Sequence, residues 1–315
     1  MLLAAGRGER MEPLSTVVAK PALEVLGRPL LASALTQLQQ AGCERVVVNL
    51  HRHPEQVARA ARSAGADLPL FSWEPELLGG QGGVAAARSL LGQGAVLVAN
   101  ADTWSRLDLA PLLAAAREDA IVLGLVAQPN SGRWSSVVVD GQGRVTAFVR
   151  PGEPRAEGGF VFTGFQVLGA RVVESLAPPP GEMAALWDEQ RGRGKLYGVR
   201  LQGEWREAGD PEAYRRLVVE MLAGASWTHS SAWLAASAVL ENAAVGAGCR
   251  VGPGARVVES VLTSGALVER GCLLRRCVVA GPVTVTRGAS HEDALLVPHR
   301  SVPLTGARSR PAARE

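Results

Sequence analysis

The stretch LLAAGRGERMEPLSTVVAKPALEV puts Gly6 and Gly8 directly after a short apolar run, with Arg10 close behind and Lys20 immediately before Pro21. A strand that breaks into a Gly-rich turn offers backbone N–H groups with no Cβ in the way, and such a turn can hold a phosphate. The G-x-x-x-x-G-K-[ST] loop of the P-loop proteins is absent. The third glycine of the dinucleotide fingerprint is also missing. Taken alone, a strand followed by G-x-G is equally an ordinary turn. Lysine usage adds weight: of 33 basic residues only Lys20 and Lys195 are lysine. A guanidinium does not freely replace an ammonium where geometry matters.

A second candidate is Asp102, which follows the apolar run AVLVAN. A carboxylate at the C-terminal edge of a parallel strand faces the usual ligand crevice of an open α/β sheet. His51 and His53 precede a helix start and read as surface or cap residues. The four cysteines, Cys43, Cys249, Cys272 and Cys277, form no C-x-x-C and have no histidine at zinc spacing, so they read as buried, reduced thiols.

These groups need elements to position them. Over the first two-thirds, strand-like runs alternate with helix-like ones. Met1–Ala5 leads into the Gly-rich turn, and Pro29 is placed to open a helix with Leu30, Leu31, Ala34, Leu35 and Leu38 at helical spacing. The run RVVVNL reads as a strand, PEQVARAARSA as a helix, Gly83–Leu91 as a helix and Ala95–Ala99 as a buried strand. Further strands are expected at Ala120–Ala127, in the hairpin SSVVVD-GQG-RVTAFV, at Phe160–Leu168 and at Lys195–Leu201, with a helix over Pro211–Leu222. PPPG at Pro178–Gly181 reads as a rigid linker. The alternation predicts a mostly parallel, Rossmann-like sheet with helices on both faces.

From about Trp233 the pattern changes. Aliphatic residues recur every six positions, at Val239, Val245, Val251 and Val257, then after a break at Val261, Leu267 and Leu273, then at Cys277 and Val283. Gly and Ala fill the corners between them. A six-residue period of this kind is the hexapeptide repeat of a β-helix, here about three coils. The domains expected are 1–225 for the sheet domain, 232–290 for the repeats and 291–315 for a tail, polar and frayed over Arg308–Glu315. Open strand edges at a coil end predict a homo-oligomer.

Composition excludes several classes. Hydrophobic residues are 47% and charged residues 20%, which is not the composition of a disordered chain. No apolar run approaches the ~18 residues of a membrane span. The N-terminus lacks a basic region followed by a long apolar run, so the chain reads as cytoplasmic. Aromatics at 4% and a net charge of +3 argue against a nucleic-acid partner.

The motifs together resemble a known family. L-A-A-G-x-G-x-R-M-x-P-L, followed by K-P and V-x-G-x-P-L, is similar to the signature of the sugar-1-phosphate nucleotidylyltransferases. VVVNLHRHPEQ, ELLGGQGGV, NADTW, FVFTGFQVL and EWREAGDPEAY follow in that family's order. The resemblance covers essentially the whole chain. It is nearest to the short bacterial branch of mannose-1-phosphate guanylyltransferases and N-acetylmuramate-1-phosphate uridylyltransferases.

The resemblance implies a nucleotidyltransferase domain followed by a left-handed parallel β-helix, with an NTP and a sugar 1-phosphate as substrates and Mg2+ as cofactor. Arg10 would steady the β- and γ-phosphates, and Lys20 would contact the transferring phosphate. Asp102 would be the first magnesium ligand and Glu207 the second, standing where the family's W-x-D-x-G-T-P has Asp. Leu3, Ala4, Ala5, Gly6, Gly8, Gln81, Gly82 and Gly83 would bind the nucleotide. Asn100, Thr163 and Gly164 would meet the sugar. Ala101 replaces a family glycine and Asp210 a family threonine. The product is expected to be an NDP-sugar of the GDP-mannose type; the alternative is a non-catalytic paralogue that binds an NDP-sugar.

Overall fold

The computed structural model describes residues 1–65, 69–127, 134–151, 153 and 159–304; the tail expected at 308–315 lies outside the described residues. The chain divides into two compact units, Met1–Gly6 with Leu31–Arg206, and Arg7–Leu30 with Glu207–Glu315. The Gly-rich turn is therefore shared, Gly6 closing one segment and Arg7 opening another.

The first unit is built on a nine-stranded sheet. Its strands are β1 (Leu2–Leu3), β2 (Val47–Leu50), β3 (Leu70–Trp73), β4 (Val96–Asn100), β5 (Ile121–Ala127), β6 (Ser136–Val139), β7 (Val145–Val149), β8 (Phe160–Leu168) and β9 (Leu196–Arg200). The order runs β7-β6-β8-β4-β1-β2-β3, with β5 beside β8 and β9 beside β5. β1 lies parallel between β2 and β4, and β2 continues parallel to β3. β8 enters antiparallel against β4, so the sheet is mixed. β2 and β5 read as near-continuous apolar runs because their side chains are buried on both faces of the sheet, through all of β2 and the first five residues of β5.

Helix α1 (Leu31–Gln40) buries Leu31, Ala34, Leu35 and Leu38, the i, i+3, i+4, i+7 stripe read from the sequence. It opens at Leu31, not Pro29: Arg28–Pro29 is a strand paired with Glu24–Val25 across a two-residue turn, and Leu30 N–H is held by Leu23 O at 2.8 Å. Helix α2 (Pro54–Ser63) follows the expected span, whereas α3 (Gly79–Ala86) begins four residues before Gly83 and is followed by a separate turn, Arg88–Leu91.

The second unit carries helix α4 (Pro211–Leu222) and a parallel β-helix. Trp227 pairs with Ala244, Ala244 with Val261, Val261 with Val278 and Val278 with Leu295. Two further faces carry four strands each, starting at Trp233 and Val239. One coil is thus 17 residues, a spacing repeated by the Ser226 hydroxyl on Ala243 N–H and the Ser260 hydroxyl on Cys277 N–H.

A strict six-residue period therefore slips out of phase. The inward aliphatics are Leu240, Val245, Val251, Val257, Leu262, Val268, Leu274, Val279 and Val285, and the step drops from six to five once per coil. Val239 is 41% exposed, and the coil core takes Leu262, Val268 and Leu274 in place of Val261, Leu267 and Leu273. A second inward column, two residues earlier, is small: Ala243, Cys249, Ala255, Ala266, Cys272 and Cys277. Cys277 is thus inside, but in the small column. The short corner is made by Asn242, Glu259, Arg276 and Asp293, all left-handed with φ of 49°, 46°, 50° and 48°. The ladder runs past 290 to Val297, where Arg300–Pro303 pairs antiparallel with Ala294–Val297 and covers that face's last strand. All four cysteines are free; three are buried and Cys43 is half-buried.

Candidate active site

In the first unit the chain order reverses at β1: the strands lead to β2 and β3 on one side and to β4 on the other. The crevice outside the carboxyl ends at such a switch point is where open α/β sheets bind ligands. Ala4, Ala5 and Gly6 leave β1 there, and the turn holding Ala101 and the half-buried Asp102 leaves β4 beside it, pinned by Ala101 N–H on Leu3 O at 3.0 Å. Leu3 lies in register with Asn100.

Asn100 also meets the segment expected to touch the sugar. A Cβ on Gly164, whose φ is +90°, would come within 3.1 Å of Asn100 Cβ, so this position needs glycine both for its conformation and for the approach. Thr163 beside it is fully buried; its hydroxyl donates to Gly124 O at 2.8 Å and accepts Phe165 N–H at 3.2 Å, and Trp205 Nε1 donates to its carbonyl at 2.8 Å. Thr163 thus secures the bulge that presents Gly164, and the motif tryptophan holds the same bulge from the other side.

The glycine cluster Gly79–Gly83, which opens α3, is gripped by the segment read as a linker. Gly181 N–H donates to Leu78 O at 2.8 Å and Gly82 N–H donates to Gly181 O at 2.9 Å. Gln81 is buried against Gly181, where a Cβ would stand 2.7 Å from Gln81 Oε1. PPPG therefore acts as a brace under the start of α3, not as a spacer, because Gly181 supplies both a donor and an acceptor to it.

Two side chains absent from the sequence reading join the turn after β1 to the N-cap of α3. Asn49 Oδ1 accepts Ala4 N–H at 2.6 Å, and Asn49 Nδ2 donates to Glu74 Oε1 at 2.7 Å. Glu74 Oε2 accepts Leu78 N–H at 3.1 Å, and Glu74 is 0% exposed. His51 Nδ1 sits 2.9 Å from Glu74 O, and His53 occupies the N-cap position of α2. The available signal was an amide inside the β-branched run VVVNL, since a buried amide must find partners.

The second unit holds the cations. Gly8 is left-handed with φ +67°, and the space a Cβ would take lies 3.4 Å from Ser15 Cβ and 3.8 Å from Lys20 Cβ. Lys20 is 8% exposed, which is unusual for lysine and sets it apart from a solvated surface charge. Arg10 Nη2 donates to Glu207 Oε1 at 3.0 Å, with side chains 63% and 15% exposed. Asp210 is the N-cap of α4: its Oδ1 accepts Ala213 N–H at 2.7 Å, and Pro211 follows as the first helical residue. The extra charge at 210 is therefore spent on a helix N-terminus, where the dipole favours it. Tyr214, fully buried on α4, donates to Glu24 O at 2.6 Å and ties the Lys20-bearing segment to the helix; burial pushes its phenol far above the usual range.

Among the described residues there is no cluster of three or more His, Cys, Asp and Glu that could hold a metal, and no helix long and apolar enough to cross a membrane.

The model of the family described as nucleotidyl transferase matches residues 1–223. An N-acetylmuramate alpha-1-phosphate uridylyltransferase from Neisseria meningitidis serogroup B is 31% identical over 71% of this chain and 98% of its own length. A mannose-1-phosphate guanylyltransferase from Mycobacterium tuberculosis is 29% identical over 71% of this chain and 64% of its own. Mannose-1-phosphate guanylyltransferase 1 from Arabidopsis thaliana is 27% identical over 96% of this chain and 86% of its own. Among solved structures, HddC from Yersinia pseudotuberculosis shares the fold, with a TM-score of 0.60 and 21% identity over 70% of this chain and 97% of its own. With a family model matched over most of its length and a glycine turn at the switch point of its sheet, the chain belongs to the nucleotidyl transferase family.

Proposed function

We propose that the protein transfers a nucleotidyl group from an NTP to a sugar 1-phosphate, forming an NDP-sugar and releasing pyrophosphate. The observation that carries this reading is the placement of Ala4–Gly6 and Asp102 at the carboxyl edge of adjacent parallel strands, with Asn100 and Gly164 beside them. An oxygen of the sugar phosphate attacks the α-phosphorus in line, and the bond from that phosphorus to the pyrophosphate oxygen breaks. Such a reaction asks for positioning and charge neutralisation more than for a covalent intermediate.

The roles we assign are those that the resemblance of the motifs implies. Leu3–Gly6, Gly8 and Gln81–Gly83 hold the nucleotide, Lys20 contacts the transferring phosphate, Arg10 steadies the leaving phosphates, and Asn100 with the Thr163–Gly164 bulge receives the sugar. Asp102 and Glu207 are the candidate ligands of a divalent cation. Their oxygens suit Mg2+, which is commonly held by one or two carboxylates plus substrate phosphates and not by an all-protein cage. Mg2+ bound there would neutralise charge on the phosphates.

Length favours the guanylyl type. The match to the Neisseria uridylyltransferase spans 98% of that protein yet only 71% of this chain. The match to the Arabidopsis guanylyltransferase spans 96% of this chain and so extends into the β-helix segment. The exposed Trp233 and Val239 on the first coil support a homo-oligomer through the β-helix. The test is pyrophosphate release over a panel of NTPs and sugar 1-phosphates with Mg2+. The expected optimum is GTP with mannose 1-phosphate. An optimum with UTP and N-acetylmuramate 1-phosphate reassigns the product, and NDP-sugar binding without turnover makes the chain a binding paralogue.

A further inference from the structure

Asn49 lies in a strand whose four residues are all buried, and Glu74 follows the neighbouring strand with no exposed surface at all. A buried carboxylate is costly unless its oxygens are hydrogen-bonded. Here both are used, one by Asn49 Nδ2 at 2.7 Å and one by Leu78 N–H at 3.1 Å. Asn49 in turn accepts Ala4 N–H at 2.6 Å. Three hydrogen bonds in series therefore run from the first residue after β1 to the N-cap of α3. The first end carries Ala4–Gly6 and the second carries Gly79–Gly83. Gly83 packs on the middle of the chain: a Cβ there would stand 2.8 Å from both Asn49 Nδ2 and Glu74 Oε1.

From this geometry we infer that Asn49 and Glu74 form a positioning pair that sets the spacing of the two segments read as nucleotide-facing, the turn after β1 and the start of α3. The inference rests on the reading of those two segments as nucleotide-binding. The pair touches no reacting atom; it acts through Ala4 and Leu78. Its direction is fixed, because Ala4 N–H forces the amide oxygen of Asn49 toward β1 and leaves the amide nitrogen to face the carboxylate.

That fixed direction gives a reciprocal test. Asn49→Asp places two carboxylates against each other in a buried site. Glu74→Gln leaves one acceptor oxygen for two donors, Asn49 Nδ2 and Leu78 N–H. The double variant Asn49→Asp/Glu74→Gln reverses the polarity and satisfies every group: the aspartate accepts from Ala4 N–H and from the new amide, whose oxygen accepts Leu78 N–H. The measurements are calorimetric titration of GTP and UTP, KM for NTP and for sugar 1-phosphate separately, and Tm. Each single variant is expected to weaken NTP binding by about tenfold or more while KM for the sugar 1-phosphate stays within about twofold, and the double variant is expected to recover most of the loss. If a single variant does not fold, a double variant that folds and binds NTP carries the same support. The inference is overturned by singles that bind NTP like wild type, by a double variant no better than the worse single or unable to fold, or by losses that fall equally on both substrates and track Tm. Wild-type protein that binds no NTP overturns the nucleotide reading, and the pair's role falls with it; wild-type binding with unaffected singles overturns the pair alone.

Discussion

Arg10 Nη2 stands 3.0 Å from Glu207 Oε1, joining residues 197 positions apart: the cation expected on the phosphates and the carboxylate expected on the metal. In this pairing each neutralises the other. The Arg10 side chain is 63% exposed, so the contact belongs with surface pairs worth about 0–1 kcal/mol. A bond that weak is open to exchange: in the proposed reaction phosphate oxygens would replace Glu207 at the guanidinium, and a divalent cation would replace Arg10 at the carboxylate.

Shortening the acidic arm tests this exchange. Glu207→Asp keeps a carboxylate but gives up reach toward Arg10, and turnover is expected to equal or exceed wild type. Glu207→Ala is expected to lower turnover roughly a hundredfold or more, on the scale of several kcal/mol of lost charge stabilisation. Pyrophosphate release titrated with Mg2+ and Mn2+ reads both. A Glu207→Ala variant with wild-type turnover and unchanged divalent dependence removes Glu207 from the site.

Lys20 is the sharper case, since it is buried near Gly8 and Ser15. Lys20→Arg keeps the charge but replaces a compact ammonium with a planar fork, and turnover is expected to fall about tenfold or more with little change in fold. Steady-state kinetics beside far-UV circular dichroism checks it; unchanged kcat and KM would mark Lys20 as structural.

The 17-residue coil predicts opposite outcomes at neighbouring leucines. Leu274 is fully buried in the coil core, while Leu273 is half-buried outside it. Leu274→Ala is expected to cost about 2–5 kcal/mol, and Leu273→Ala clearly less. Chemical denaturation of the two variants decides, and equal losses would contradict the register.

Acid should loosen the short corner of the coil. The hydrogen bonds from Arg276, 2.7 Å to Asp293 Oδ1 and 2.8 Å to Oδ2, hold the Asp293 carboxyl below its ordinary value. Because the folded pKa is the lower one, this stabilisation is complete above the unfolded carboxylate range, near ~4, and is lost as pH falls through the folded value. Arg276→Gln is therefore expected to move the acid unfolding midpoint to higher pH. Circular dichroism followed from pH 7 downward reads the shift, and coincident curves for variant and wild type would rule it out.

Much of this was legible in the sequence because it rests on local rules. The stripe Leu31, Ala34, Leu35, Leu38 and the apolar runs of β2, β4 and β5 announce their elements by period and burial. What escaped depends on partners and conformations that residue type does not announce. Pro29 looked like a helix start, but its neighbour Leu30 is bound to Leu23 in a hairpin. PPPG looked like a spacer because nothing in its composition tells that Gly181 meets Leu78 and Gly82. The hexads were visible, yet their phase was not: the short corner at Asn242, Glu259, Arg276 and Asp293 uses ordinary residues in a left-handed conformation, so no glycine marks it. Among the site residues, glycines and charges stood out by type, whereas Asn49 and Glu74 are conspicuous only once they are seen buried.

The corner has a further consequence for how this molecule can vary. Each coil is a closed period in which three faces and one short corner return to the same angular station after 17 residues, as the hydroxyl-to-amide spacing of Ser231 on Gly248 and Ser237 on Gly254 repeats. Adding or removing one residue inside a paired strand turns the aliphatics that follow out of phase unless a corner loops it out, while adding or removing a whole period leaves all faces aligned. A change of length within the ladder that keeps every strand paired therefore comes in complete turns, with Arg300–Pro303 carried along as the end stop.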